Sequence, residues 1–373
     1  MKKAVRAEWL VTPDGRAFYR PFVIVEGGEV SEILEAPPEN LSVEEYPGVL
    51  YPPFVNAHTH LELSNLFFNP DSFRDFFDWL FWIIGKRRTF TEQEIEEAVK
   101  RGIGELERFG VVYAGDISSF GISRKLLKNS RFKVFLEFIG KEVNPEELDP
   151  PLSVHSIYSV SFEAVKKIAE DARRRGYRFQ VHLAETFEEV KFSRCEKNRF
   201  EEEVYPAIGR KRYERVCAEG AVDYLKKAGA VSENMIAVHC TNLNERELEQ
   251  LLEAGVSIVL CPRSNLHLKA GFPKVENIIG YPKLALGTDG LSSNVDLSVV
   301  EELKLLYYSL EGKFSVKDLF YTITSGGAEV LGIKNYGKKA IFTGIRERGT
   351  ADPFSLLLRD GLTFEIVDFS KAL

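Results

Sequence analysis

The chain has little of what would tie it to an oxidising compartment, a membrane or a nucleic acid. Its four cysteines, Cys195, Cys217, Cys240 and Cys261, form no Cys-x-x-Cys pair. At 373 residues the chain is also too long to need disulfide staples. A reduced, cytoplasmic setting is therefore expected, with Cys240 and Cys261 as small apolar fillers at strand ends. Apolar runs of signal or membrane-spanning length are missing. The richest stretch, Leu66 to Ile84, is interrupted by Asp71, Arg74, Asp75 and Asp78. A basic surplus is missing as well: the net charge of −7 argues against a nucleic-acid surface. Glutamine is scarce beside abundant Glu, Lys and Arg, a balance found in heat-adapted proteins. No repeat period or low-complexity segment interrupts the chain.

What is present suffices for a large core, with 44% hydrophobic and 28% charged residues. The first fifty residues read as short strands at Ala4 to Val11, Pro21 to Glu26 and Glu29 to Leu34, and the tail reads as strands at Ser355 to Leu358 and Thr363 to Val367. Neither end can bury a core alone, so residues 1–51 and 341–373 are expected to pair into a small β-sandwich. Residues 52–340 alternate instead. Eight strand-like runs are predicted at Val49 to Val55, Val111 to Ala114, Phe132 to Phe138, Leu152 to Val154, Phe179 to Val181, Met235 to Val238, Val256 to Leu260 and Leu284 to Leu286. Between them lie amphipathic helices at Glu92 to Phe109, Phe162 to Arg175, Glu245 to Glu253 and Val316 to Leu331. That alternation predicts an α/β fold, a (β/α)8 TIM barrel, with its site at the carboxyl ends of the strands.

The residues at those ends carry the chemistry. His58 and His60 close strand one, and their i, i+2 spacing points both side chains the same way. Asp116 follows strand two, His155 strand four, His182 and Glu185 strand five, His239 strand six, Arg263 strand seven and Asp289 strand eight. Five of the chain's 6 histidines thus fall at predicted strand ends. Structural histidines placed at random would not do so, and the pattern points to a metal site.

Asn56-Ala57-His58-Thr59-His60, His182-Leu183-Ala184-Glu185, Val238-His239, Cys261-Pro262-Arg263-Ser264-Asn265 and Gly287-Thr288-Asp289-Gly290 together resemble the metal-dependent amidohydrolase superfamily. The branch most similar is that of the purine and aminodeoxyfutalosine deaminases, alongside the chlorohydrolase-like enzymes. The resemblance implies one divalent metal on His58, His60, His182 and Asp289, zinc by default with iron fitting the same ligands. Dinuclear relatives carry a lysine where strand four here ends in His155, so a single ion is expected. It implies that Asp289 touches the metal and takes a proton from water, that His239 orients that water, and that Glu185 shuttles protons to the substrate. The plain alternative for Glu185 is a capping or solvated carboxylate. His60-Leu61-Glu62 also matches the His-x-Glu of an unrelated zinc deaminase fold, but the Pro-Cys-x-x-Cys that fold needs is missing.

Substrate contacts are less determined. Glu62 is read either as a ligand for a ribose hydroxyl or the purine edge, or as a partner that orients the metal ligands. His155 is read as a substrate contact or a structural imidazole, and Arg263 as a substrate contact or a salt bridge closing its loop. The aromatic segment Phe73 to Ile84, with Trp79 and Trp82, is read as core packing; a lid over an aromatic substrate or a homodimer contact is the alternative. Lys191 to Arg215 reads as a solvated helical excursion. The run His58 to Ser64 looks most like the aminodeoxyfutalosine deaminases, which serve a menaquinone route. It implies a small-molecule aminopurine nucleoside whose benzoate would meet Arg87, Arg124 or Arg263. Methylthioadenosine or adenosylhomocysteine, guanine and chlorotriazines are the other substrates considered. A retired barrel serving as a scaffold should have lost ligands, and none is missing.

Overall fold

The computed structural model describes residues 2–212 and 216–370. Its centre is a sheet of eight parallel strands in sequential order: Phe54–Thr59, Val111–Ser118, Lys133–Phe138, Leu152–Ser156, Phe179–Leu183, Met235–His239, Ser257–Leu260 and Leu284–Leu286. Strands covered on both faces by helices are apolar nearly throughout, which is why these runs stood out in the sequence. Beyond the eighth strand the chain turns back onto the first: the amides of Thr288 and Asp289 donate to His58 O, each at 3.1 Å. Gly287 makes that approach feasible, because a Cβ there would lie 2.8 Å from both the Cβ and the carbonyl oxygen of His58. The result is the nearly closed barrel the alternation predicted.

The two chain ends also pair as expected, in the form of one mixed sheet. Its strands run in the order Glu365–Asp368, Ile341–Ile345, Val43–Tyr51, Lys2–Val11, Phe22–Glu26 and Glu29–Leu34, with Ala17–Tyr19 beside Lys2–Val11. The predicted strand Val49 to Val55 is in fact two. Pro52 and Pro53 carry no amide hydrogen, so the ladder stops at Tyr51 and the chain passes from the mixed sheet into the barrel. The predicted strand Ser355 to Leu358 is a helical turn, Pro353–Leu356. Asp352 caps it by accepting from the amides of Phe354 and Ser355, and Pro353 takes the first position.

Three predicted helices hold within a residue: Glu92–Arg108, Phe162–Arg175 and Glu245–Glu253. The fourth breaks into Val316–Phe320, the 3-10 turn Tyr321–Ile323 and Ser325–Leu331. The break falls at Thr324, whose backbone is not helical (φ −133°, ψ −104°), and Gly326 lets the last piece approach the sheet, since a side chain there would meet Leu284 O at 2.4 Å. The helix lies directly on the last strand.

The excursion from Lys191 is not the solvated arm expected. Phe200, Val204 and Tyr205 are buried, and Phe200 stacks on Tyr158 with ring centroids 3.7 Å apart. Its final residues, 213–215, lie outside the described residues. A disulfide joins Cys195 to Cys217 across a Cα–Cα distance of 5.3 Å, which corrects the expectation that all four cysteines are reduced. The pair meets because the excursion returns on itself: Ala218 N donates to Ser193 O at 2.8 Å. Sequence spacing alone gave no sign of it. Cys240 and Cys261 are free and buried, as expected of apolar fillers. Among the described residues no helix is long and apolar enough to cross a membrane.

Candidate active site

The carboxyl ends of the strands gather His58, His60, His182, His239, Glu185 and Asp289 on the floor of a cavity of about 350 Å³ or just beneath it. Two of these residues sit in strained backbone. His239 has φ 73° and Asp289 φ 57°, left-handed values that non-glycine residues seldom adopt. Each costs on the order of 1 kcal/mol, and both occur where a strand must turn its last side chain into the site.

Hydrogen bonds fix His58, His182 and His239 from behind, whereas His60 Nδ1 is buried without a hydrogen-bond partner. His58 Nδ1 donates to Gln180 Oε1 at 2.7 Å, and its Nε2 is buried without a hydrogen-bond partner, 3.6 Å from Asp289 Oδ1. His60 Nε2 stands 3.3 Å from the same oxygen. His182 Nδ1 donates to His155 O at 2.6 Å, leaving its Nε2 as an acceptor. Asn265 gives Nδ2 to Thr241 Oγ1 at 2.7 Å, so its Oδ1 faces His239 Nδ1 at 2.9 Å. Asp289 Oδ2 accepts from Ser264 at 2.8 Å and Ser293 at 2.6 Å, which leaves Oδ1 to the histidines. Burial pushes both His60 and His239 down to about 4, and pushes His182 well below the usual value. Burial thus favours the neutral form of these three imidazoles, the form that binds metal.

The donor atoms of His58, His60 and Asp289 lie within 4.8 Å of one another, as do those of His58, His182 and His239. Two buried imidazole nitrogens without hydrogen-bond partners, those of His58 and His60, and one carboxylate oxygen of Asp289 not engaged by the serines fit a divalent cation well.

Glu185 lies beside this cluster, with Oε1 3.8 Å from His239 Nε2. Burial, reinforced by the charges of Asp289 and Glu189, raises its pKa well above the carboxylate range. That environment favours its protonated form. Asn242 anchors its backbone by donating to Glu185 O at 2.8 Å.

The remaining predicted residues divide. His155 lines the cavity, its Nδ1 2.7 Å from Ser159 Oγ. Trp79 lines it too and donates Nε1 to Ser292 O at 2.7 Å. Its helix, Phe76–Arg87, presents Phe76, Leu80, Ile83, Ile84 and Arg87 as one wall, so the aromatic segment both packs the core and shapes the cavity. Trp82 projects from the other side of that helix and packs on Phe73 at 5.2 Å, which corrects its placement against the substrate. Glu62 is corrected as well. Both its oxygens are taken, by Ser118 Oγ at 2.7 Å and by the amides of Phe120, Ile122 and Ser123 at 2.6 to 2.8 Å. It pins the turn after strand two. Asp116 likewise sits beneath the site, accepting from Leu61 N at 2.8 Å. Arg263 forms a two-pronged pair with Asp296 at 2.6 and 3.0 Å, the loop-closing alternative, and lies outside the cavity wall. Arg124 is bound to Asp149 and Val134 O, also away from the cavity, whereas Arg87 lines it.

Sequence reasoning missed Gln180, Glu137, Arg88 and Arg210, the last three of which line the cavity. Gln180 had a signal, standing two residues before His182 on the same face of one strand. Glu137 had the same kind of signal at the end of strand three.

Comparison with known proteins places this architecture. The 5′-deoxyadenosine deaminase of Methanothrix thermoacetophila is 29% identical over 308 residues, 76% of this chain and 68% of that protein. A 5-methylthioadenosine/S-adenosylhomocysteine deaminase of Pyrococcus abyssi is 26% identical over 356 residues, 84% of this chain and 77% of that one. The crystal structure of Helicobacter pylori aminofutalosine deaminase in complex with methylthio-coformycin superposes with a TM-score of 0.80 at 24% identity, covering 95% of each chain. The model of the amidohydrolase family matches residues 141–340, just over half of the sequence. That match runs through the strands bearing His182, His239 and Asp289, and the chain belongs to the amidohydrolase family.

Proposed function

We propose that this protein is a metal-dependent deaminase of adenine-type nucleosides, with aminodeoxyfutalosine as its substrate. The observation that carries the reading is Glu185, a buried carboxyl 3.8 Å from His239 Nε2 at the floor of a largely apolar cavity, whose burial favours the protonated form. His58, His60, His182 and Asp289 would hold one divalent ion, zinc suiting three imidazoles and a carboxylate, and that ion supplies Lewis-acid activation of water.

The protein's own groups do the rest. His239, fixed by Asn265, turns Nε2 toward the attacking water and orients its lone pair. Asp289 Oδ1 takes the proton that the water gives up. As water adds to the carbon bearing the amine, electrons move onto the adjacent ring nitrogen, and Glu185 delivers its proton there. The proton held by Asp289 then goes to the amine nitrogen, which departs as ammonia while the new hydroxyl returns its proton to Glu185 and becomes the carbonyl. Hydrogen bonds from Ser264 and Ser293 keep Asp289 pointed at this path throughout.

The far side of the cavity favours an extended 5′ substituent. Phe76, Trp79 and Leu80 give an aromatic and aliphatic wall, and Arg88 and Arg210 supply cations for a carboxylate. Arg124 is held by Asp149 and Arg263 by Asp296, both away from the cavity. The relatives named for methylthioadenosine favour a second reading, deamination of methylthioadenosine or adenosylhomocysteine. The test follows the ultraviolet change from adenine to hypoxanthine. For aminodeoxyfutalosine, kcat/KM is expected to exceed that for methylthioadenosine or adenosylhomocysteine by at least about tenfold, the worth of one good charged contact. If methylthioadenosine proves the better substrate, the second reading replaces the first; turnover of guanine alone would remove both.

A further inference from the structure

The helix that follows strand five, Phe187–Ser193, starts differently from others in the chain. In three other helices the third residue reaches back to the amide of the residue that caps it, as Glu94 does for Thr91, Glu247 for Asn244 and Asp318 for Ser315. Glu189 holds the same third position behind Thr186, whose side chain makes no cap. Its carboxyl reaches further back. It accepts from Glu185 N at 3.3 Å, and the amide of Ala184 also donates to it. Glu189 is 1% exposed, so these two amides have no solvent to turn to instead. Burial pushes its carboxyl up to about 8 while the two amides pull the other way. In either protonation state an oxygen remains to accept them.

The peptide units held in this way are those that aim Glu185. Ala184 has φ 48°, a left-handed value that a residue with a side chain keeps only when its surroundings impose it. Asn242 grips the carbonyl side of the same turn: its N donates to Ala184 O at 2.9 Å and its Nδ2 to Glu185 O at 2.8 Å. Glu189 grips the amide side. Among the described residues nothing hydrogen-bonds the Glu185 carboxyl itself, which stands 3.8 Å from His239 Nε2, so its aim follows from its backbone. Glu189 is no part of the cavity wall. We propose that Glu189 is a positioning residue for the reaction: by accepting the amides of Ala184 and Glu185 it holds the strained turn that points the Glu185 carboxyl at the substrate. This inference rests on the reading of Glu185 as the proton shuttle and deepens it.

The experiment measures kcat, KM and bound metal for Glu189→Met and Glu189→Gln, each alone and combined with Glu185→Gln. The substrate is whichever of aminodeoxyfutalosine, methylthioadenosine and guanine the metal-loaded wild type turns over fastest, so the result does not depend on which one it is. Methionine has the length of glutamate but no oxygen, whereas glutamine keeps a carbonyl that accepts. Glu189→Met is expected to lower kcat by about tenfold or more while KM and metal stay within about twofold. Glu189→Gln should keep kcat within about threefold of the wild type. In the Glu185→Gln background Glu189→Met should cost less than about twofold, because the group it aims is already gone. An equal loss in both backgrounds overturns the inference, since Glu189 would then act on the fold or the metal and not through Glu185. A loss carried by KM or by metal content does the same, as does a Glu189→Gln variant as impaired as Glu189→Met. Should Glu189→Met not fold, Glu189→Asp, which withdraws the oxygens by one carbon, is read by the same criteria. Failure of both to accumulate as folded, metal-loaded protein makes Glu189 structural and overturns the inference. Full activity of Glu185→Gln would remove the shuttle reading and this inference with it, whereas an impaired Glu185→Gln with additive losses overturns the inference alone.

Discussion

Reducing the Cys195–Cys217 bond should lower the stability of the whole protein while leaving the cavity wall beside it in place. The bridge spans a sequence separation of 22 residues, and the segment it closes carries Val204, Tyr205, Ile208 and Arg210 of the cavity wall. Closing a loop of that length removes conformational freedom from the unfolded chain worth about 3 kcal/mol. The folded segment has other ties. Tyr205 donates to Tyr158 O at 2.5 Å, and Arg199 pairs with Asp75 at 2.8 Å at the start of the aromatic helix. These contacts keep the wall in place after reduction, so the effect is felt chiefly through the unfolded state. For a chain of 373 residues the unfolding entropy near the midpoint makes 3 kcal/mol equal to roughly 4 °C. The assay is a thermal melt of the metal-loaded protein with and without a thiol reductant, beside a Cys195→Ser, Cys217→Ser double variant. Both treatments should lower Tm by the same amount. Two results would refute the reasoning: four titratable thiols in the denatured, unreduced protein, or a midpoint that neither treatment moves.

Elemental analysis should find one tightly held ion per chain, and His58→Ala or His182→Ala should remove most of the metal and nearly all turnover. Two tightly bound ions would place a second metal at the Glu137, His155 and His182 group and overturn the mononuclear reading. Glu185→Gln should keep the ion and substrate binding while lowering kcat by about two to four powers of ten. Parallel loss of metal and activity would instead make Glu185 a ligand. Because Glu185 acts as an acid whose pKa burial raises, the wild-type rate should hold through neutral pH and fall as rising pH strips that proton. The pH profile of the residual Glu185→Gln activity should lack that limb, and its persistence there would assign the limb to another group.

The alternation of apolar runs and amphipathic helices was enough to determine the barrel. Strands buried on both faces must be apolar along their length, and helices that cover them must be apolar on one stripe. The strand-end rule then located His58, His60, His155, His182, Glu185, His239 and Asp289, because the chain direction in a parallel barrel fixes which end of each strand faces the site. Local signals had the same force at Asp352-Pro353 and Pro52-Pro53, where the residues dictate a helix start and a ladder end.

Only the tertiary structure decided what each side chain spends its hydrogen bonds on. Glu62 follows His60 in a pattern that invites a ligand role, yet four donors from the turn after strand two occupy it. Arg263 has the reach for a substrate, yet Asp296, thirty-three residues away in sequence, holds it. The meeting of Cys195 with Cys217 follows from the return of a buried excursion. Periodicity reports which face of an element is buried, because burial is a property averaged along a helix or strand. Partnership between two side chains depends on contacts between elements distant in sequence, and a pattern along one element carries no record of them.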